Sequence, residues 1–163
     1  CLVGSEMCIR DRPDTHPQTT LAKQLAEYVL LYSPWQMAAD MIENYEHQPA
    51  FSFVESVPTD WEKTVVVNAK IGNYITIARK DKASDDWYVG SATDVDARDL
   101  SIDLSFLDKD REYMAEVYAD GPGADFRSNP YPLMYQRIKV TYASSLRLHL
   151  APSGGAAVRI KAL

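Results

Sequence analysis

Cysteine is almost missing from this chain. Of 163 residues only Cys1 and Cys8 carry a thiol, and both lie in the opening string CLVGSEMCIRDR. That string fits neither a signal peptide nor a periodic element, because Glu6 interrupts its apolar residues and no long apolar centre develops. It reads as translated adapter DNA of the kind that heads metagenomic reading frames, so residues 1–12 are expected to be an artefactual, disordered leader. With it set aside no cysteine remains, and disulfides, thiol nucleophiles and CxxC metal sites are excluded. Positive charge is also short: 17 Lys and Arg face 23 Asp and Glu, a net charge of −6. A phosphate-binding face needs the opposite balance, so nucleic acid is not an expected partner. Long hydrophobic runs are absent; Tyr28 to Leu31 falls far below the roughly 18 residues of a membrane span. Histidine is sparse: His16, His47 and His149 are too scattered to argue a Ser-His-Asp or Cys-His arrangement.

What is present divides into a helical third and a β-rich remainder. Leu21, Leu25, Tyr28, Val29 and Tyr32 recur at helical spacing, with Thr19 or Thr20 as N-cap and Pro34 as the stop. The run PWQMAAD, Pro34 to Asp40, is too short for periodicity to decide between helix and buried strand. A second short helix is expected from about Pro49 to Ser56. From Trp61 onward, β-branched and aromatic runs alternate with turn residues. Eight strands are expected: Thr64 to Lys70, Tyr74 to Arg79, Trp87 to Thr93, Leu100 to Phe106, Tyr113 to Tyr118, Leu133 to Thr141, Leu146 to Leu150 and Ala157 to Lys161. Alternation in Tyr113 to Tyr118 and Leu146 to Leu150 predicts one buried and one wet face per strand. The expected fold class is α+β, with an antiparallel β-sandwich of about eight strands. The boundary falls at Pro58-Thr59-Asp60, and the 45-residue helical segment must lean on the sandwich or on other sequence.

Several residue groups invite chemical readings. Asp94, Asp96 and Asp99 superficially resemble a calcium loop. Arg98 stands where a ligand is wanted, however, and no bend glycine or distal glutamate follows, so a turn is the expectation. Asp40, Glu43, Glu46 and His47 are dense in ligand types at a spacing common on wet faces. Gly154-Gly155 lacks the lysine and helix of a phosphate loop and reads as a tight turn. His149 falls on the polar side of its strand. Trp61, Tyr74, Trp87, Tyr88 and Tyr118 suggest the alternative of a stand-alone carbohydrate-binding sandwich, although most such rings in a small sandwich are core or interface.

Four blocks, in order, carry a resemblance: TTLAKQLAEYVLLYSPWQMAADMIENY, VPTDWEKTVVVNAKIGNYITIARK, WYVGSATDVDARDLSIDLSFL and LHLAPSGGAAVRI. Over roughly residues 15 to 162 the chain is similar to the C-terminal part of glycoside hydrolase family 97, calcium-dependent α-glucosidases and α-galactosidases. The resemblance implies that residues 13–57 are the last helix, strand and helix of a truncated (β/α)₈ catalytic barrel, with PWQMAAD as its final strand. Residues 58–163 would be a C-terminal sandwich for scaffolding and oligomerisation. Active sites sit at the C-terminal ends of barrel strands, which would place Asp40 and Met37 near the sugar pocket. The family's catalytic and calcium-binding carboxylates all precede residue 13, so no catalytic residue, metal ligand or cofactor is expected here. Glycoside hydrolysis needs two positioned carboxyl groups, and the fragment alone is expected to be inactive. Implied partners are the rest of the barrel, a second copy and, for the parent enzyme, an oligosaccharide; the implied location is periplasmic or outer-membrane associated. Cut off from the barrel, Leu25, Val29, Leu30, Trp35 and Met37 are expected to lack most of their partners.

Overall fold

The computed structural model describes residues 17–36 and 48–163. The leader 1–12, Met37, Asp40, the group Glu43, Glu46 and His47, and most of the expected PWQMAAD strand lie outside the described residues. Among the described residues two helices come first, α1 (Leu21–Leu30) and α2 (Phe51–Ser56). Eight strands follow: β1 (Trp61–Lys70), β2 (Tyr74–Asp81), β3 (Trp87–Thr93), β4 (Arg98–Asp103), β5 (Tyr113–Asp120), β6 (Leu133–Val140), β7 (Ser145–Leu150) and β8 (Gly155–Ala162). All pairings are antiparallel. Six strands form one sheet in the order β1-β2-β3-β8-β5-β6, and β4 and β7 form a second sheet of two.

The two sheets enclose the main core. Trp87, Val89, Ile102, Leu104, Tyr113, Val117, Leu148, Leu150, Val158 and Ile160 meet there, all buried. At about 1.5–3 kcal/mol per large apolar side chain removed from water, this cluster is the largest stabilising contribution of the domain. Leu100 to Phe106 is one strand in sequence, but β4 ends at Asp103. There the Asp103 carboxylate accepts from the Ser105 amide at 3.0 Å and Leu107 N donates to Leu104 O at 3.0 Å, turning the chain. Ile102, Leu104 and Leu107 still reach the core.

The expectation of one wet face per strand fails at the centre of the large sheet. Every residue of β3 is buried, and in β5 Glu116 and Tyr118 are 8% and 2% exposed. The reason is α1. Thr20 caps it by accepting from Lys23 N at 3.3 Å, and Ala22, Leu25, Ala26 and Val29 press on the outer sheet face, making a third layer. Leu25 and Val29 therefore have partners, contrary to expectation; Phe53, Tyr88, Tyr118 and Ala157 surround them. The helix stops at Leu30, leaving Leu31, Tyr32 and Trp35 exposed at 62%, 63% and 79%.

Candidate interaction surfaces

The helix can lie on the sheet only because the strands beneath it carry almost no side chain. A Cβ at Gly90 would stand 2.7 Å from Ala26 O, and one at Gly155 would stand 2.6 Å from Lys23 Cα. Both contacts are closer than real Cβ atoms permit, so glycine is required by close approach. Around this seat lie several partly buried polar contacts. Lys23 Nζ donates to Thr93 O at 2.9 Å, Tyr88 hydroxyl donates to Ser56 O at 2.7 Å, and the Ser52 and Tyr118 hydroxyls stand 2.9 Å apart. Burial pushes the Tyr88 phenol up to about 12, despite the Arg159 guanidinium nearby. Arg159 itself pairs with Asp86 at 3.0 Å.

Two buried ionic groups at this interface gave no sequence signal. Asp120, 3% exposed, closes β5; its Oδ2 accepts from Ala151 N at 2.8 Å and Gly155 N at 2.9 Å. It thus ties the β7–β8 turn to the large sheet, while Oδ1 has no hydrogen-bond partner. Burial raises the Asp120 carboxyl above its ordinary value, opposed by the Thr20 hydroxyl and the two backbone donors. Arg79, 7% exposed, donates to Leu30 O at 3.3 Å at the end of α1 and lies over the Tyr32 and Trp61 rings. Its Nε has no partner, and burial lowers the guanidinium's affinity for its proton. Gly90 did carry a signal, since a glycine inside an apolar strand marks close backbone approach.

The acidic turn after β3 behaves as its sequence predicts. Arg98 pairs with Asp94 and reaches Thr93 Oγ1, and Asp94 Oδ1 also accepts from Asp96 N at 2.9 Å. These contacts, led by Arg98, hold the Asp94 carboxyl below its usual range. The turn joins strands of different sheets, so it is a crossing between layers and not a hairpin. Asp99 is on the other strand face, accepting or sharing a proton with exposed His149 Nδ1 at 2.7 Å. Among the described residues, no three His, Cys, Asp or Glu side chains converge on a point where a metal could sit.

The ring set is mostly sealed. Trp87, Tyr88 and Tyr118 are 4%, 2% and 2% exposed, and half-buried Trp61 packs edge-on against Tyr88 with centroids 5.6 Å apart. Rings so covered cannot stack on a pyranose. Open surfaces lie elsewhere. One is the exposed apolar end of α1. Another is a groove of about 320 Å³ between β6 and β7, lined by Val117, Gln136, Ile138, Leu146 and Leu148 among others.

Comparison with known proteins places this architecture. The family profile described as glycosyl-hydrolase 97 C-terminal, oligomerisation matches residues 60–161. A retaining alpha-galactosidase of Bacteroides thetaiotaomicron is 38% identical over 150 residues, 88% of this chain and 21% of that protein. A family 97 glycoside hydrolase from a Pseudoalteromonas species, solved in complex with acarbose, is 48% identical with a TM-score of 0.87. The match covers 91% of this chain and 23% of that one. A beta-arabinopyranosidase structure is 26% identical with a TM-score of 0.71, covering 89% of this chain and 22% of that chain. The chain thus spans between a fifth and a quarter of these relatives' length. No helix among the described residues is long and apolar enough to cross a membrane. With a profile match over residues 60–161, more than half of its length, and relatives 38% and 48% identical, the chain belongs to glycoside hydrolase family 97, as its C-terminal oligomerisation domain.

Proposed function

We propose that this chain scaffolds and associates a larger enzyme that hydrolyses α-glycosidic bonds with calcium, and has no hydrolytic activity of its own. The observation that carries the reading is the 48% identity at TM-score 0.87 to one end of a family 97 hydrolase. The alpha-galactosidase relative supports an α-glycoside as the parent's substrate. In this reading residues 13–57 are the last barrel elements, the apolar end of α1 at Leu31, Tyr32 and Trp35 meets the rest of the barrel, and Met37 and Asp40 stand near its sugar pocket. The parent works in the periplasm or at the outer membrane.

Calcium does not fit the described residues. Their acid-rich turn at Asp94 to Asp99 has Arg98 at its centre and spends its Asp94 oxygens on Arg98 and the backbone. Calcium wants six to eight oxygen ligands and no guanidinium among them. In this reading the ion is held by parts of the parent enzyme other than the described residues. The test is direct. Incubated with aryl α-glucosides and α-galactosides in calcium, the chain is expected to release no phenol above buffer. Turnover abolished by a glycosidase inhibitor such as acarbose would overturn the reading.

A further inference from the structure

The second sheet has two strands where the first has six, and its two edges are treated differently. On the β4 side, Asn68 Nδ2 from β1 donates to Ser101 O at 3.2 Å and occupies the edge. The β7 side pairs with no strand among the described residues. Which backbone groups it presents follows from the ladder. Leu104 N donates to Ser144 O at 3.2 Å, continuing the register in which Ile102 faces Leu146 and Leu100 faces Leu148. Hydrogen-bonded pairs alternate in an antiparallel ladder. The amides and carbonyls of Leu146 and Leu148 therefore point to β4, and those of Arg147 and His149 point outward. Ser101 O, turned away from β7 toward Asn68, agrees with that phase.

Beside this edge the inner face of β6 is uncovered. Met134, 40% exposed, and half-buried Gln136 and Ile138 lie on the core side, opposite Ala119, Val117 and Ala115, and Gln136 and Ile138 line the groove that a further strand would close. An open edge beside an uncovered apolar strip is a template for strand addition. We propose that a second copy of this domain adds its own β7 there, joining the two small sheets across a two-fold axis. The inference rests on the oligomerisation reading above and assigns it a surface.

The register follows from side-chain chemistry. A two-fold antiparallel pair keeps residues of one face opposite each other, so the choices centre on residue 147, 148 or 149. Centring on Arg147 sets two guanidinium groups directly opposite, which is destabilising. Centring on His149 draws Arg147 against residue 151, whose amide already serves Asp120. Centring on Leu148 sets Leu148 against its copy and Leu146 against Leu150, extending the core row. Arg147 then faces His149 of the second copy in two symmetry-related pairs, each exchanging two backbone hydrogen bonds.

The test is the mass of the 163-residue chain in solution by sedimentation equilibrium, for wild type and Arg147→Pro. Proline at 147 removes only an outward N–H and leaves the β4 pairing intact. Wild type is expected to dimerise. The variant is expected to keep its circular dichroism while its dissociation constant rises roughly 30- to 100-fold, the loss of two hydrogen bonds. A variant that dimerises like wild type overturns this surface and leaves the oligomerisation reading standing. A wild type that stays monomeric at every concentration overturns both. If Arg147→Pro does not fold, Leu148→Cys in a Cys1→Ser, Cys8→Ser background decides: oxidation is expected to cross-link two copies at the axis, and an uncross-linked product overturns the proposal.

Discussion

Replacing Asp120 separates two roles that its buried carboxylate combines. In Asp120→Ala the amides of Ala151 and Gly155 lose their acceptor inside the protein. A buried donor left unmade costs about 1–3 kcal/mol, so the variant should lose about 2–5 kcal/mol. For a domain of this size that lowers the thermal midpoint by roughly 5–15 °C. Asp120→Asn keeps one oxygen to accept both amides and removes the charge that burial penalises, and at pH 7 its midpoint should lie within about 3 °C of wild type. The pH dependence has a definite sign. The folded carboxyl is raised above its ordinary value of about 3.9, so protonation favours the folded state. Its contribution is fully present below the unfolded value and is lost as pH rises through the folded one. Wild type should therefore gain on Asp120→Asn as pH falls from 7 toward about 4. Calorimetric melts of the three proteins across that range decide it. If Asp120→Asn is as damaging as Asp120→Ala at pH 7, the negative charge and not the acceptor geometry holds the turn, and the reasoning is refuted.

Other expectations concern the third layer. Gly90→Ala should cost about 1–3 kcal/mol, because its Cβ meets the backbone at Ala26 O and α1 must lift; faster amide exchange in residues 21–30 with β5 unchanged is the signature. Tyr88→Phe should lose about 1 kcal/mol with the Ser56 bond, measured by urea unfolding. In a spectrophotometric titration the same substitution should remove the phenol that ionises near pH 12. Arg79→Met should be nearly neutral in a urea titration, within about 1 kcal/mol, because no described carboxylate pairs with the buried guanidinium; a loss of several kcal/mol would reveal an anionic partner.

Local chemistry was legible in the sequence and long-range placement was not. All eight strands were readable from alternation and turn residues, and Trp87 to Thr93 matches β3 residue for residue. Arg98 beside Asp94 was readable because both lie within one turn. Pairing depends on contacts between distant residues, such as Trp87 with Ile160, and no local pattern encodes it. The same limit explains Tyr118: its alternation is that of a wet face, but Leu25, Val29 and Phe53 from far earlier in the chain pack with it. Asp120 resembled any polar residue before a glycine turn, because its partners, Ala151 and Gly155, come from a segment thirty residues later. The family resemblance identified the domain, yet the two substrate-side residues it suggested, Met37 and Asp40, fall outside the described residues.

The position of β8 between β3 and β5 has a consequence for synthesis. β8 follows in the chain every strand it joins, so β1-β2-β3 and β5-β6 stay separate pieces until it has been made. Without β8 the chain has the small sheet's strands and both outer ribbons but no seam, and β3 and β5 each present an open edge to any other strand.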